Sequence, residues 1–189
     1  MNQQFLRVLF LFLGTIVCQT AWCATPVECE KKIASSLMKL LSEKFLNLRT
    51  PKLADLDQAS IDYDLSDGGD GCFAVASGDY AGYGNKDVAM LLVPVKGGDP
   101  QLVVALAKND TWTLYQLPTF CEGIAFCYVK TEKPGTYNRS EALDSPPTRP
   151  DELEKLTSKN AVVLSGRLES TGIVYAYSNT RWRYVWVSD

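Results

Sequence analysis

The chain contains no histidine. This absence excludes Ser-His-Asp and Cys-His nucleophile activation and HExxH metal hydrolysis, each of which needs an imidazole that takes a proton or binds a metal near neutral pH. GxSxG and P-loop patterns are missing too, so any catalysis would have to run through carboxylates or lysine. Basic charge is not in excess: 19 Lys and Arg stand against 22 Asp and Glu, a formal net charge of −3. Such mild acidity offers no footprint for nucleic acid or an anionic membrane. Low-complexity tracts and internal repeats are also absent, and 46% hydrophobic with 22% charged residues is the composition of an ordinary globular domain.

Long apolar runs are scarce. Val8 to Val17 follows Arg7 but is too short for a bilayer, which needs about 20 residues, and reads as the middle of a secretory leader. Ala21 and Cys23 supply the small side chains expected before a cleavage point. Residues 1–23 are therefore expected to be a signal peptide and 24–189 a single globular domain, periplasmic or secreted, with no transmembrane segment. Val17 and Trp22, which precede the leader's cysteines, are too large for a lipoprotein signal.

Of six cysteines, Cys18 and Cys23 fall in the leader, leaving Cys29, Cys72, Cys121 and Cys127. An even number in an oxidising compartment reads as disulfides. Three pairings are open, but CEGIAFC at 121–127 encloses a short loop that closes at small entropic cost, leaving Cys29 with Cys72. The spacing is not that of a zinc site, and no histidine is present to complete one.

Thr25-Pro26-Val27-Glu28 combines a capping hydroxyl, an early proline and an acid that closes a capping box, so a helix is expected from here. Ile33, Leu37, Leu40, Leu41, Phe45 and Leu48 form an apolar stripe, and Pro51 ends it. Asp62, Asp64, Asp67 and Asp70 make the densest acid cluster. It begins like an EF-hand loop, but Asp67 stands where glycine is needed and Phe73 where the bidentate glutamate belongs. We expect a solvated glycine-rich turn joining an extended segment to a strand.

Strands are expected at Asp87 to Val95, Gln101 to Ala107, Thr111 to Leu117, near Tyr128, and at Ala161 to Leu164. The carboxyl terminus should form a hairpin, Ile173 to Tyr177 and Arg181 to Val187, with Trp182, Tyr184 and Trp186 on one face packed as core. Residues 133–160, rich in turn-formers, read as a surface excursion with a short helix from Pro150 to Leu156. The fold class expected is α+β, mainly β: an antiparallel β meander packed by an amino-terminal amphipathic helix.

The stretch SGDYAGYGNKDVAMLLV at 77–93 has the cadence of a calcium loop. At the four ligand places it carries Asp79, Ala81, Tyr83 and Asp87, with Gly82 and Gly84 retained. Calcium needs six to eight oxygens. Asp79 and Asp87 are therefore weak metal candidates, and no cofactor beyond weakly held calcium is expected. GGDGCFAVASGDYAGYGNKDVAMLLV, together with GIVYAYSNTRWRYVWVSD, resembles a group of uncharacterised secreted proteobacterial proteins built around one degenerate FG-GAP- or VCBS-like segment. The resemblance implies a fold and a compartment but no activity.

Two functions follow as expectations. The first is a non-catalytic binding protein with an unknown protein partner, an inhibitor or immunity protein against a secreted effector, for which Tyr80 and Tyr83 are the partner-binding candidates. The alternative is a carboxylate-based hydrolase of envelope glycans, recognisable by two acids converging in a concave pocket.

Overall fold

The computed structural model describes residues 25–143 and 145–188, so the expected leader lies outside the described residues. The protein is α+β and mainly β, with antiparallel strands throughout its sheets. Two helices, α1 at Ser35–Lys44 and α2 at Gln58–Ser66, lie on either side of the short first strand and before all the others. The first sheet holds β1 (Leu48–Arg49), β2 (Val75–Gly78), β3 (Asp87–Pro94), β4 (Gln101–Lys108) and β5 (Thr111–Leu117). The second holds β6 (Cys127–Glu132), β9 (Val162–Arg167), β10 (Thr171–Ser178) and β11 (Arg181–Ser188), while β7 (Gly135–Asn138) pairs with β8 (Lys155–Ser158). Instead of one meander there are two, β3-β4-β5 and β9-β10-β11. Val129 N–H donates to the Phe73 carbonyl and links β6 to the segment leading into β2, so the sheets join along one side. Among the described residues no helix is long and apolar enough to cross a membrane.

The helix expected from Thr25 begins later. Val27 N–H donates to the Asp70 carbonyl and Cys29 is bonded to Cys72, so the first residues are tied to a distant turn and cannot close helical hydrogen bonds. A short 3-10 turn, Cys29–Lys32, intervenes. Within α1, Leu37 and Leu41 lie four apart on one face and are buried in the main core. The helix stops at Lys44 because Leu48 and Arg49 leave to pair with Pro94 and Val93 of β3.

Residues 58–66 are helical, not extended. Asp57 caps α2 by accepting from Ala59 N–H, and the alternating acids separate by helical geometry: Asp62 points out toward Gln58, while Asp64 is buried and accepts from Gly71 N–H at 2.8 Å. Gly69 passes so close to that carboxylate that a Cβ would sit 2.3 Å from it. Asp67 pairs with Lys130 and Asp70 with Lys32, so the four acids serve four separate roles.

The 133–160 segment is no free excursion. β7 and β8 bring Leu156 into a second cluster with Val162, Val174, Ala176 and Val185. Between them, residues 139–143 and 145–153 form a strap along β11: Ser140 N–H donates to the Trp186 carbonyl, Tyr184 N–H to the Asp151 carbonyl, and Leu153 N–H to the Tyr184 carbonyl. The buried Arg139–Glu152 ion pair fastens the strap. No helix forms from Pro150, because this backbone bonds β11 and Lys155 already starts β8. Trp182 and Tyr184 are core, as the carboxyl-terminal pattern suggests, and Trp186 is half-buried.

Candidate functional site

The glycine loop after β2 places its flagged residues in opposite environments. Tyr80 is fully buried; its ring lies 6.5 Å from that of Trp182 and its hydroxyl is 2.7 Å from Thr131 Oγ1 on β6. It is a core residue, which corrects its assignment as a partner contact. Gly78 makes room, since a Cβ there would come within 2.9 Å of the Tyr80 ring. Tyr83 is 47% exposed, with Lys108 Nζ 4.8 Å from its ring centre. It borders a polar cleft of about 480 Å³ with Asn160, Tyr177 and Asn179.

The two metal candidates are engaged by the main chain. Asp87 is fully buried and accepts from the N–H groups of Tyr80, Ala81 and Ala107 at 2.9, 3.0 and 2.8 Å. Burial pushes its carboxyl above the usual range, and those three donors oppose the shift. Asp79 accepts from Tyr83 and Gly84 N–H. Among the described residues no group of three or more His, Cys, Asp or Glu is arranged to hold a metal ion.

A more open site surrounds the second disulfide. Cys29 pairs with Cys72 and Cys121 with Cys127, as the spacing implies. The 121–127 loop is anchored on several sides: Gly123 N–H donates to Asp99, and the Ala125 carbonyl accepts from Asp57 N–H and Ser60 Oγ. Its Phe126 carbonyl also accepts from Leu168 N–H, so the backbone is held while the ring stays outside. Phe120 and Phe126, each just before a cysteine, are 50% and 42% exposed.

Three grooves meet here. The largest, about 770 Å³, runs between α2, β6 and β9 past Tyr63, Phe73, Phe126, Tyr128 and Lys130. Arg167 lines both this groove and a neighbour of about 320 Å³, which extends over Tyr175 to Trp186. Phe120 and Trp186, whose rings pack at a tilt of 51° with centres 4.6 Å apart, also bound a third of about 250 Å³ that reaches Arg149 and the strap. Each exposed ring has a cation beside it: Lys130 lies 5.5 Å from Tyr63, Arg149 5.5 Å from Phe120 and Arg167 5.8 Å from Phe126. Such contacts contribute about 0.5–1 kcal/mol at exposed positions and restrict both partners. The hydroxyls of Ser165 and Tyr175 are engaged, donating to the carbonyls of Tyr128 and Pro118.

The sequence reading missed Tyr63, Phe120 and Phe126. The available signal was FCEGIAFC itself, because a seven-residue disulfide loop has little interior of its own in which to bury a phenylalanine ring. No family model matches the chain, and no curated protein or solved structure matches it, so the FG-GAP-like resemblance of residues 68–93 and 172–189 rests on those residues alone.

Proposed function

We propose that this is a non-catalytic periplasmic or secreted binding protein that receives a protein partner in the grooves around the Cys121–Cys127 loop. The observation that carries this reading is the set of three exposed aromatic rings, each beside a cation, gathered around a loop closed by a disulfide: Phe126 within the loop, Phe120 just before it and Tyr63 on α2. Aromatic and arginine side chains are the groups that dominate protein interfaces, and rings held in advance lose little freedom on binding. The partner's surface would offer apolar side chains to the rings and carboxylates to Arg149 and Arg167. An inhibitor or immunity protein against a secreted effector suits this arrangement. The two disulfides suggest an oxidising, extracytoplasmic compartment. We read α1 as the cover of the first sheet, through Leu37 and Leu41, and residues 77–93 as a loop retained for its shape.

Affinity capture from extracytoplasmic extract tests the assignment. The wild-type protein should retain a specific protein that the Phe120→Ala/Phe126→Ala variant loses, with binding weakened by about 2 kcal/mol or more and melting nearly unchanged. Capture that ignores the double substitution would overturn it. The hydrolase reading has Glu132 and Glu169 on the largest groove, the latter exposed at its rim. Release of reducing ends from envelope glycan, lost in Glu132→Gln, would install that reading instead.

A further inference from the structure

The outer strands of an open sheet carry N–H and C=O groups that need partners. On β11 the strap supplies them through Ser140, Asp151 and Leu153. Beside β2, the segment from Phe73 bonds Val129 of β6. β5 differs: it pairs with β4 alone, and no described main-chain hydrogen bond reaches its outer edge.

The turn before β5 determines which of its groups face outward. Asn109 and Asp110 have φ of 48° and 59°, the left-handed pair of a two-residue type I′ hairpin, closed by Lys108 and Thr111. Alternate residues of an antiparallel strand bond to the same neighbour. Thr111, Thr113, Tyr115 and Leu117 therefore bond β4, while Trp112, Leu114 and Gln116 direct their N–H and C=O groups outward. The side chains nearby are engaged: Trp112 Nε1 donates to Ser36 Oγ, Gln116 to Gln101, and Tyr115 bonds Tyr177. The strand TWTLYQL contains no charge, proline or glycine, so it lacks the devices that keep an edge from pairing.

We propose that β5 pairs antiparallel with β5 of a second copy of this chain, about a two-fold axis at Leu114. In that register Trp112 faces Gln116, Thr113 faces Tyr115 and Thr111 faces Leu117, and the outward-bonding residues meet one another, so the ladder closes. No like charges meet. A charged segment from another protein would find no complementary group on this strand, whereas the strand complements itself. Pro118, which lacks an N–H and whose carbonyl already accepts from Tyr175, ends the ladder.

Sedimentation velocity on the purified, oxidised protein over a concentration series tests the pairing. A reversible dimer is expected. Gln116→Pro, which removes an outward N–H without taking a bond from β4, should weaken it by about tenfold or more, because the axis repeats the loss. Gln116→Ala, which keeps the N–H, should leave it intact. If Gln116→Pro fails to fold, hydrogen exchange of the wild type decides: the Trp112, Leu114 and Gln116 amides should become more protected as concentration rises. A monomer at every concentration, a dimer insensitive to Gln116→Pro, or concentration-independent exchange of those amides would each overturn the proposal.

Discussion

Two loops attract attention in this molecule, and they use their residues in opposite ways. The 79–87 stretch carries two of the four acids expected of a calcium loop, yet it turns Tyr80 and Asp87 inward and engages both aspartates with backbone N–H groups. The 121–127 loop matches no motif, yet it holds its backbone to α2 and Leu168 and leaves Phe126, and Phe120 just before it, outside. Resemblance to a ligand loop is thus compatible with a purely architectural role, because the same carboxylates can satisfy buried N–H groups. The rings can stay exposed because the disulfide and the backbone hydrogen bonds hold the loop's shape without them.

The sharpest way to break this comparison is to truncate the two tyrosines separately. Tyr80→Ala should cost about 3–5 kcal/mol of stability, since it removes a fully buried ring that joins β6 to β11. Tyr83→Ala should cost under about 1 kcal/mol, limited to its contact with Lys108. Chemical denaturation of each variant measures both. Equal losses would mean that the loop does not divide into an inner and an outer half.

The next largest effect concerns the aspartates. Asp87→Ala leaves three main-chain donors without an acceptor and should cost about 2–3 kcal/mol; Asp79→Ala, whose donors reach water, should cost about 1 kcal/mol or less. The pH dependence has a definite sign. Burial raises the folded-state pKa of Asp87 above its unfolded value, so the folded protein holds more protons between the two. Its contribution to stability is complete below the usual aspartate pKa and is lost as pH rises through the raised value. Glu152, lowered by its pairing with Arg139 and by the Thr148 N–H against the cost of burial, acts oppositely: its contribution holds above the usual glutamate pKa and fades as pH falls. Subtracting the Asp87→Ala stability profile from that of the wild type should leave a descending curve. A rising difference would show that the three donors outweigh burial.

Much of the strand framework is legible in the sequence because it depends on local signals. Thr111 to Leu117 follows the turn-forming Lys108-Asn109-Asp110, whose Asn109 and Asp110 take up positive φ, and the carboxyl-terminal hairpin turns where Asn179-Thr180 does the same. What was not legible depends on distant partners. The fate of Tyr80 is decided by Thr131 and Trp182, and the strap by β11 and the Arg139–Glu152 pair. α2 was hidden because acids at alternate positions imitate an extended segment, when Asp64 is in fact reserved for the Gly71 N–H. The groove around Phe120 and Phe126 is assembled from α2, β6, β9 and the strap, so no single stretch of sequence announces it.

The smallest expected effect is that of calcium, and it bears on the comparison because a strong response would restore the motif reading of the first loop. Metal binding at Asp79 and Asp87 would require their oxygens to exchange backbone N–H donors for a cation, and the intervening ligand places hold Ala81 and Tyr83. Breaking the Asp87 bonds would also strand buried donors at Tyr80, Ala81 and Ala107, a cost that a fully acidic loop does not bear. Even extracellular modules with richer ligand sets bind only at about 10⁻⁴–10⁻³ M. A site weaker than that, exposed to about 1 mM calcium, gains only a few tenths of a kcal/mol by linkage, which corresponds to a melting shift of about 1–2 °C at most. Thermal melts with and without calcium should therefore nearly superimpose, and Asp79→Ala should not change the difference between them. A rise of several degrees at micromolar calcium, abolished in Asp79→Ala, would mean that the loop opens to expose its carboxylates and is a ligand site after all.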